Sequence, residues 1–176
     1  KLVLEHDGPC EIGSLFLHPD WRHDRNGRML QLVRFVFMAE HRDAFESTVV
    51  SEIRGTLDSR GHSPFWDALG QHFFDIDFAE ADRLSIVNKK FIADLMPDHP
   101  IYIPLLPPEA QKVIGQPHRE SERAVKNLAA EGFRFSGMVD IFDAGPVMIA
   151  ERDEIRTVRL SRRAIVESTD AAESSG

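Results

Sequence analysis

One cysteine, Cys10, in 176 residues excludes an intrachain disulfide framework, and a single thiol cannot build a cysteine-rich zinc site. Positive charge is also short: 21 lysines and arginines stand against 29 aspartates and glutamates, for a net charge of −8. That balance leaves no broad footprint for a nucleic acid or an anionic membrane surface, and neither is expected as a partner. Long apolar runs are missing as well. The most apolar stretch, Leu32 to Ala39, is broken by Arg34 and falls far short of the roughly 20 residues that cross a bilayer. No secretory signal and no internal repeat are read, and the expected compartment is a reducing cytoplasm. What is present is one domain's worth of core-forming material, 42% apolar and 28% charged.

Cys10 to Leu17 is a short, mostly apolar run closed by His18-Pro19-Asp20, and it reads as a buried strand. From Arg28 to about Phe45, apolar residues cover nearly every face of a helical wheel, which predicts a helix packed on most sides. Val49 to Leu57 fits a second strand, so that strand, tight loop, helix and strand make a βαβ unit. Ser63-Pro64 opens a short helix to about Leu69, with Ser63 as N-cap and Gly70 available to stop it. Lys90 to Met96 reads as helix, and the proline-rich stretch from Asp98 to Pro108 as extended and irregular. Ala124, Val125, Leu128 and Ala129 set a helix over Ser121–Glu131, and Phe133–Phe142 and Pro146–Ala150 form two closing strands joined across Asp143-Ala144-Gly145. Glu167 to Gly176 is expected to be a disordered tail.

The loop Trp21-Arg22-His23-Asp24-Arg25-Asn26-Gly27 lies between the first strand and the apolar helix. Backbone N–H groups at a helix start, with the positive end of its dipole, make an anion site suited to a pyrophosphate. Arg22, Arg25 and Arg28 add three cations around that point. A solvated turn carrying surface arginines explains the same residues.

Arg22-x-x-Arg25-x-Gly27 resembles the acyl-CoA pyrophosphate motif Gln/Arg-x-x-Gly-x-Gly/Ala of the Gcn5-related acetyltransferase superfamily, with Arg25 standing at its first glycine. A wider resemblance is to the C-terminal part of the arginine N-succinyltransferase family. It rests on Leu15-Phe16-Leu17-His18-Pro19-Asp20-Trp21-Arg22, Ser63-Pro64-Phe65-Trp66, the run from Phe91 to Tyr102, Val113-Ile114-Gly115-Gln116-Pro117-His118, Glu131-Gly132-Phe133-Arg134 and Asp140 to Pro146, in the same order over residues 10–163. The resemblance implies an α+β mixed sheet of the Gcn5-related N-acyltransferase type, incomplete at its N-terminus. Residues 1–163 would form the C-terminal part of an acyl-CoA N-acyltransferase domain, and residues 164–176 a disordered tail. Pantetheine would enter between the splayed strands Cys10–Leu17 and Val49–Leu57.

The implied activity is transfer of a succinyl group from succinyl-CoA to the α-amino group of L-arginine, or of ornithine, at the opening of a catabolic route. Succinyl-CoA is then a substrate, with no permanently bound cofactor and no metal. By the resemblance His118 is the proton donor to the departing thiolate, and Leu15 a succinyl-CoA contact; Arg22, Arg25, Asn26 and Gly27 complete the donor site. Histidine chemistry suits that role. Without the family, a histidine after a proline in a polar loop is a surface residue and Leu15 an ordinary core leucine. Cys10 has no activating partner nearby in sequence, and the histidines lack ligand spacing. Glu52 and Arg54 share one side of their strand, as a surface ion pair or as groups for the substrates' opposite charges. The alternative function is a non-catalytic CoA-binding fragment, or a subunit that needs a partner chain. A homo- or hetero-oligomer is expected either way. An acetyltransferase with another acceptor is a third reading.

Overall fold

A computed structural model describes residues 1–3, 8–87, 90–97 and 99–165. Four strands form one sheet: β1 (Cys10–Glu11), β2 (Thr48–Glu52), β3 (Arg134–Val139) and β4 (Pro146–Glu151), in the order β1-β2-β4-β3. β1 runs parallel to β2, and the other neighbours are antiparallel. A parallel pair needs a crossover, and α1 (Asn26–Glu40) supplies it. Between β2 and β3 lie α2 (Gln71–Phe74), α3 (Phe78–Val87), α4 (Lys90–Leu95), α5 (Pro108–Val113) and α6 (Glu122–Ala130); α7 (Arg156–Leu160) follows β4. The expected α+β mixed sheet is therefore present. No helix among the described residues is long and apolar enough to cross a membrane.

Strand alternation divides the sheet's side chains between two cores. Val49 of β2, with Met148 and Ala150 of β4, packs against Phe35 and Met38 of α1, Leu128 of α6 and Val158 of α7. Val50, Glu52 and Val147 alternate to the other face, where they line a cavity shared with Ile92 and Met96. A second apolar cluster holds Trp66, Phe74, Ala81, Ile92, Met96 and Phe142. In it the fully buried Trp66 ring lies 5.1 Å from Phe74 and 5.3 Å from Phe142, stacked on both. Ser63 ties this cluster together as the predicted N-cap: its Oγ accepts from Trp66 N and donates to Phe142 O.

Several boundaries differ from expectation. β1 ends at Glu11 and not at Leu17, because Ser14 takes a left-handed conformation (φ +53°) that turns the chain out of the ladder. β2 ends its ladder at Glu52, after which only Gly55 makes an isolated bridge, to Pro117. α1 stops at Glu40, and Arg42–Ala44 forms a separate 3-10 turn. Its outer face carries Met29, Val33, Val36 and Phe37 exposed, so the helix is not packed on most sides: no described element covers that face. Gly70 does not stop its helix. The chain continues through a π-helical turn, Trp66–Gly70, into α2 and ends at Asp75 (φ +54°). What Gly70 provides is room, since a Cβ there would stand 2.2 Å from the Trp66 ring. Within the stretch expected to be irregular, Ile103–Leu105 makes a 3-10 turn. The expected tail lies outside the described residues from 166 onward.

Candidate active site at the split between β1 and β2

β1 and β2 pair through Cys10–Val49 and Glu11–Val50, and Ile12 N donates to Val50 O at 2.9 Å. The last link is Ser51 Oγ donating to Ile12 O at 3.0 Å; beyond it the chains part. On the departing side Leu15 is 44% exposed and so is not a core leucine within this chain. On the other side β2 continues towards Gly55. Arg54 O lies four residues after Val50 O, hence on the same edge of an extended chain, and accepts from His118 N at 2.8 Å. The Pro117-His118 segment thus occupies the edge of β2 that β1 abandons.

The His118 side chain is 25% exposed, which removes it from the plain surface loop suggested by the local sequence. Its Nδ1 accepts from Glu120 N at 3.3 Å and caps the 3-10 turn Arg119–Ser121. An amide N–H facing Nδ1 selects the tautomer with the proton on Nε2. Nε2–H is the nitrogen available to a ligand.

The arginine turn is built by local bonds. Arg22 Nε donates to Leu17 O at 3.0 Å, and Asn26 Nδ2 donates to Trp21 O at 3.1 Å. Arg25 is the N-cap of α1 in a left-handed conformation (φ +62°), the conformation a glycine takes at least cost. That geometry gives a physical reason for a glycine at the first position of the motif. Asn26 N and Arg28 N bond to the carbonyls of His23 and Arg25, so they are not the open donors that the helix start suggested. Gly27 N–H has no acceptor among the described residues. A groove of about 420 Å³ starts at Asp24, Arg25 and Arg28 and runs along Met29, Val33 and Val36. Arg22, Arg25, Asn26 and Gly27 therefore share one turn. No hydrogen bond or ion pair among the described residues joins that turn to the His118 segment.

On the face of β2 away from α1, a cavity of about 520 Å³ is bounded by Val50, Glu52 and Val147 below and by Ile92, Met96 and Ile103 above. Gly115, three residues before His118, belongs to its wall, as does Asp140. Burial pushes the Asp140 carboxyl up to about 6, and the charges of Asp143 and Glu52 push in the same direction. The cavity is lined mainly by apolar side chains, with Glu52, Asp140, Lys1 and His99 as the ionisable groups in its wall.

Sequence reasoning missed Asp143, which is buried and accepts from Gly55 N at 2.7 Å and Gly145 N at 2.8 Å. Asp143-Ala144-Gly145 signals a turn, but nothing local signals a partner at Gly55. Cys10 fits no nucleophile: burial, then the charges of Glu46 and Glu11, push its thiol up, against thiolate formation.

Residues 1–157 match the family described as arginine N-succinyltransferase beta subunit. The arginine N-succinyltransferases of Enterobacter sp. (strain 638) and Escherichia coli (strain K12 / DH10B) are each 49% identical over 162 residues, which is 92% of this chain and 47% of theirs. The solved structure of arginine/ornithine succinyltransferase subunit AI from Pseudomonas aeruginosa superposes with a TM-score of 0.75 at 36% identity, over 86% of this chain and 43% of that one. The chain spans about half the length of the curated relatives it matches.

Proposed function

The chain belongs to the arginine N-succinyltransferase beta-subunit family, and from that premise we propose that it forms part of an enzyme moving a succinyl group from succinyl-CoA to the α-amino group of L-arginine or ornithine. One observation carries the reading: His118 stands on the edge of β2 that β1 vacates, and its segment begins at Gly115 in the wall of the cavity that also holds Glu52 and Asp140. The neutral α-amine attacks the thioester carbonyl carbon, the C–S bond breaks, and the amine nitrogen gives its surplus proton to solvent. His118, as an imidazolium with the Glu120 carboxylate 3.9 Å from Nδ1, gives its Nε2 proton to the departing thiolate and returns to the neutral imidazole. With Nδ1 turned to the 3-10 turn, Nε2 is the ring nitrogen left to meet the thiolate. Glu52 and Asp140 favour an acceptor that carries positive charge.

For the donor, Arg22, Arg25, Asn26 and Gly27 bind the CoA pyrophosphate, with the Gly27 amide and the arginine charges as its partners. Leu15 lies against the pantetheine arm where the strands part. Succinyl-CoA is consumed as a substrate, and the single thiol of the chain suits a reducing cytoplasm. Residues 1–163 act as the CoA-binding part of an acyltransferase domain. In the complete enzyme, a thiol-release assay with succinyl-CoA across amino acids should respond to arginine or ornithine. A strong signal with another amine and none with these two sinks the acceptor.

The second reading, a subunit that needs a partner chain, draws on the exposed apolar face of α1 and on β1 at the sheet's edge. It predicts that this chain alone binds CoA and turns over only with its partner chain.

A further inference from the structure

His118 is held by a turn that contributes nothing to the cavity at the residue that matters. Asp143 is 8% exposed and is absent from the cavity wall, yet its two carboxylate oxygens are both spent on backbone amides. Oδ2 accepts from Gly55 N, and Gly55 directly follows Arg54, whose carbonyl anchors His118 N, and itself bridges Pro117. Oδ1 accepts from Gly145 N. The neighbouring Ala144 O accepts from Gly115 N at 2.8 Å, so the same turn also grips the approach to His118.

The fit leaves no slack. A Cβ at Gly55 would lie 2.3 Å from Asp143 O, and one at Gly145 would lie 1.9 Å from Ile53 O. From behind, Ser63 Oγ donates to Phe142 O at 2.8 Å and fastens the turn to the Trp66 cluster.

We propose that Asp143 is a positioning residue: its carboxylate fixes the β2 continuation at Gly55, and through Arg54 O it fixes the register of His118 at the split. The proposal rests on the reading of His118 as proton donor. A carboxylate accepting two buried amides is a charge-assisted anchor, and a donor displaced by about 1 Å loses about a hundredfold in rate.

The test uses Asp143→Asn in the complete enzyme. The amide keeps one acceptor and turns an NH2 group towards a backbone N–H, which breaks one of the two bonds. Turnover should fall by about ten- to a hundredfold, with KM for succinyl-CoA changed by less than about twofold. Amide exchange should quicken over residues 54–56 and 115–118 and stay unchanged over residues 33–38 and 147–150. On a His118→Ala background the same change should add less than about twofold. Full additivity, unchanged exchange at 115–118, or protection lost everywhere would each overturn the assignment. If His118→Ala itself keeps full turnover, the proton-donor reading fails, and the exchange pattern still decides separately whether Asp143 holds this segment.

Discussion

His18 and His118 are the same local structure placed in two different surroundings. Each has an extended backbone, φ −57° and ψ 142° in one and φ −55° and ψ 143° in the other, and each begins a 3-10 turn. Each ring accepts from the amide two residues on, at 3.4 Å from Asp20 N and 3.3 Å from Glu120 N. An acidic side chain faces each ring at that same position. The surroundings are what differ. His18 has a side chain 61% exposed and sits ahead of the arginine turn, whereas His118 is 25% exposed and its main chain is bonded to the vacated edge of β2. A histidine cap is a cheap local device, and only its address in the sheet makes one of the two a candidate for chemistry.

The sharpest way to break this comparison is to remove each ring. In the complete enzyme His118→Ala should lower kcat by about 10²- to 10⁴-fold with little change in KM for succinyl-CoA, because the proton is needed in the transition state. His18→Ala should leave kcat within about twofold. Both should lose a similar cap contribution, about 0.5–1 kcal/mol, so melting temperature and turnover belong on one preparation. Equal turnover losses in the two variants would end the distinction.

The next effect belongs to the His18 side. Arg22→Glu and Arg25→Glu should each raise the CoA dissociation constant by about tenfold, measured by calorimetry. Arg22 also loses its bond to Leu17 O, and Arg25 makes no such bond among the described residues, so agreement between the two isolates the charge. Unchanged affinity in both rejects the turn as the pyrophosphate site.

On the His118 side, pH should act through Asp140. Its carboxyl is raised to about 6 by burial first and by Asp143 second, while in the unfolded chain it titrates near 3.8. Between those values the folded state binds more protons, so stability falls as pH rises through the window. From pH 5 to pH 7 the loss is about 1 kcal/mol. Asp140→Asn should abolish it, because one oxygen, Oδ1, accepts from both Phe142 N and Asp143 N and an amide oxygen can do the same. Urea unfolding of both proteins at the two pH values measures the difference; an unchanged slope in the variant removes Asp140 as its source. Glu40, Asp58 and Asp153 have lowered values, and their contribution is lost only as pH falls below the usual carboxylate range.

The smallest effect is at Gly27. A Cβ there meets only Leu17 Cδ2, at an ordinary 3.6 Å. Gly27→Ala should leave stability within about 0.5 kcal/mol, or raise it slightly, while weakening CoA binding. A large drop in melting temperature would show that the glycine serves the fold and not a ligand.

Much of the frame was legible because its signals are local. The spacing of Ala124, Val125, Leu128 and Ala129 fixes α6, and Ser63 caps its helix as its side chain and the following proline dictate. Asp140 to Gly145 turns where aspartate, alanine and glycine in series suggest it should. The end of β1 was not legible: Glu-Ile-Gly-Ser-Leu-Phe-Leu continues the apolar pattern of a strand, and only Ser14's left-handed backbone removes it from the sheet.

By itself, then, the sequence determined the βαβ unit, the Ser63 cap, α6 with the two closing strands, and the cluster of arginines at a helix start, all features signalled by residues close in the chain. Tertiary structure decided which histidine stands at the split, and that Asp143, 88 residues from Gly55, holds the strand beneath it. The physical reason is that a cap is satisfied by its own chain neighbours, whereas a vacant strand edge and a buried carboxylate find their partners only when distant segments are packed together.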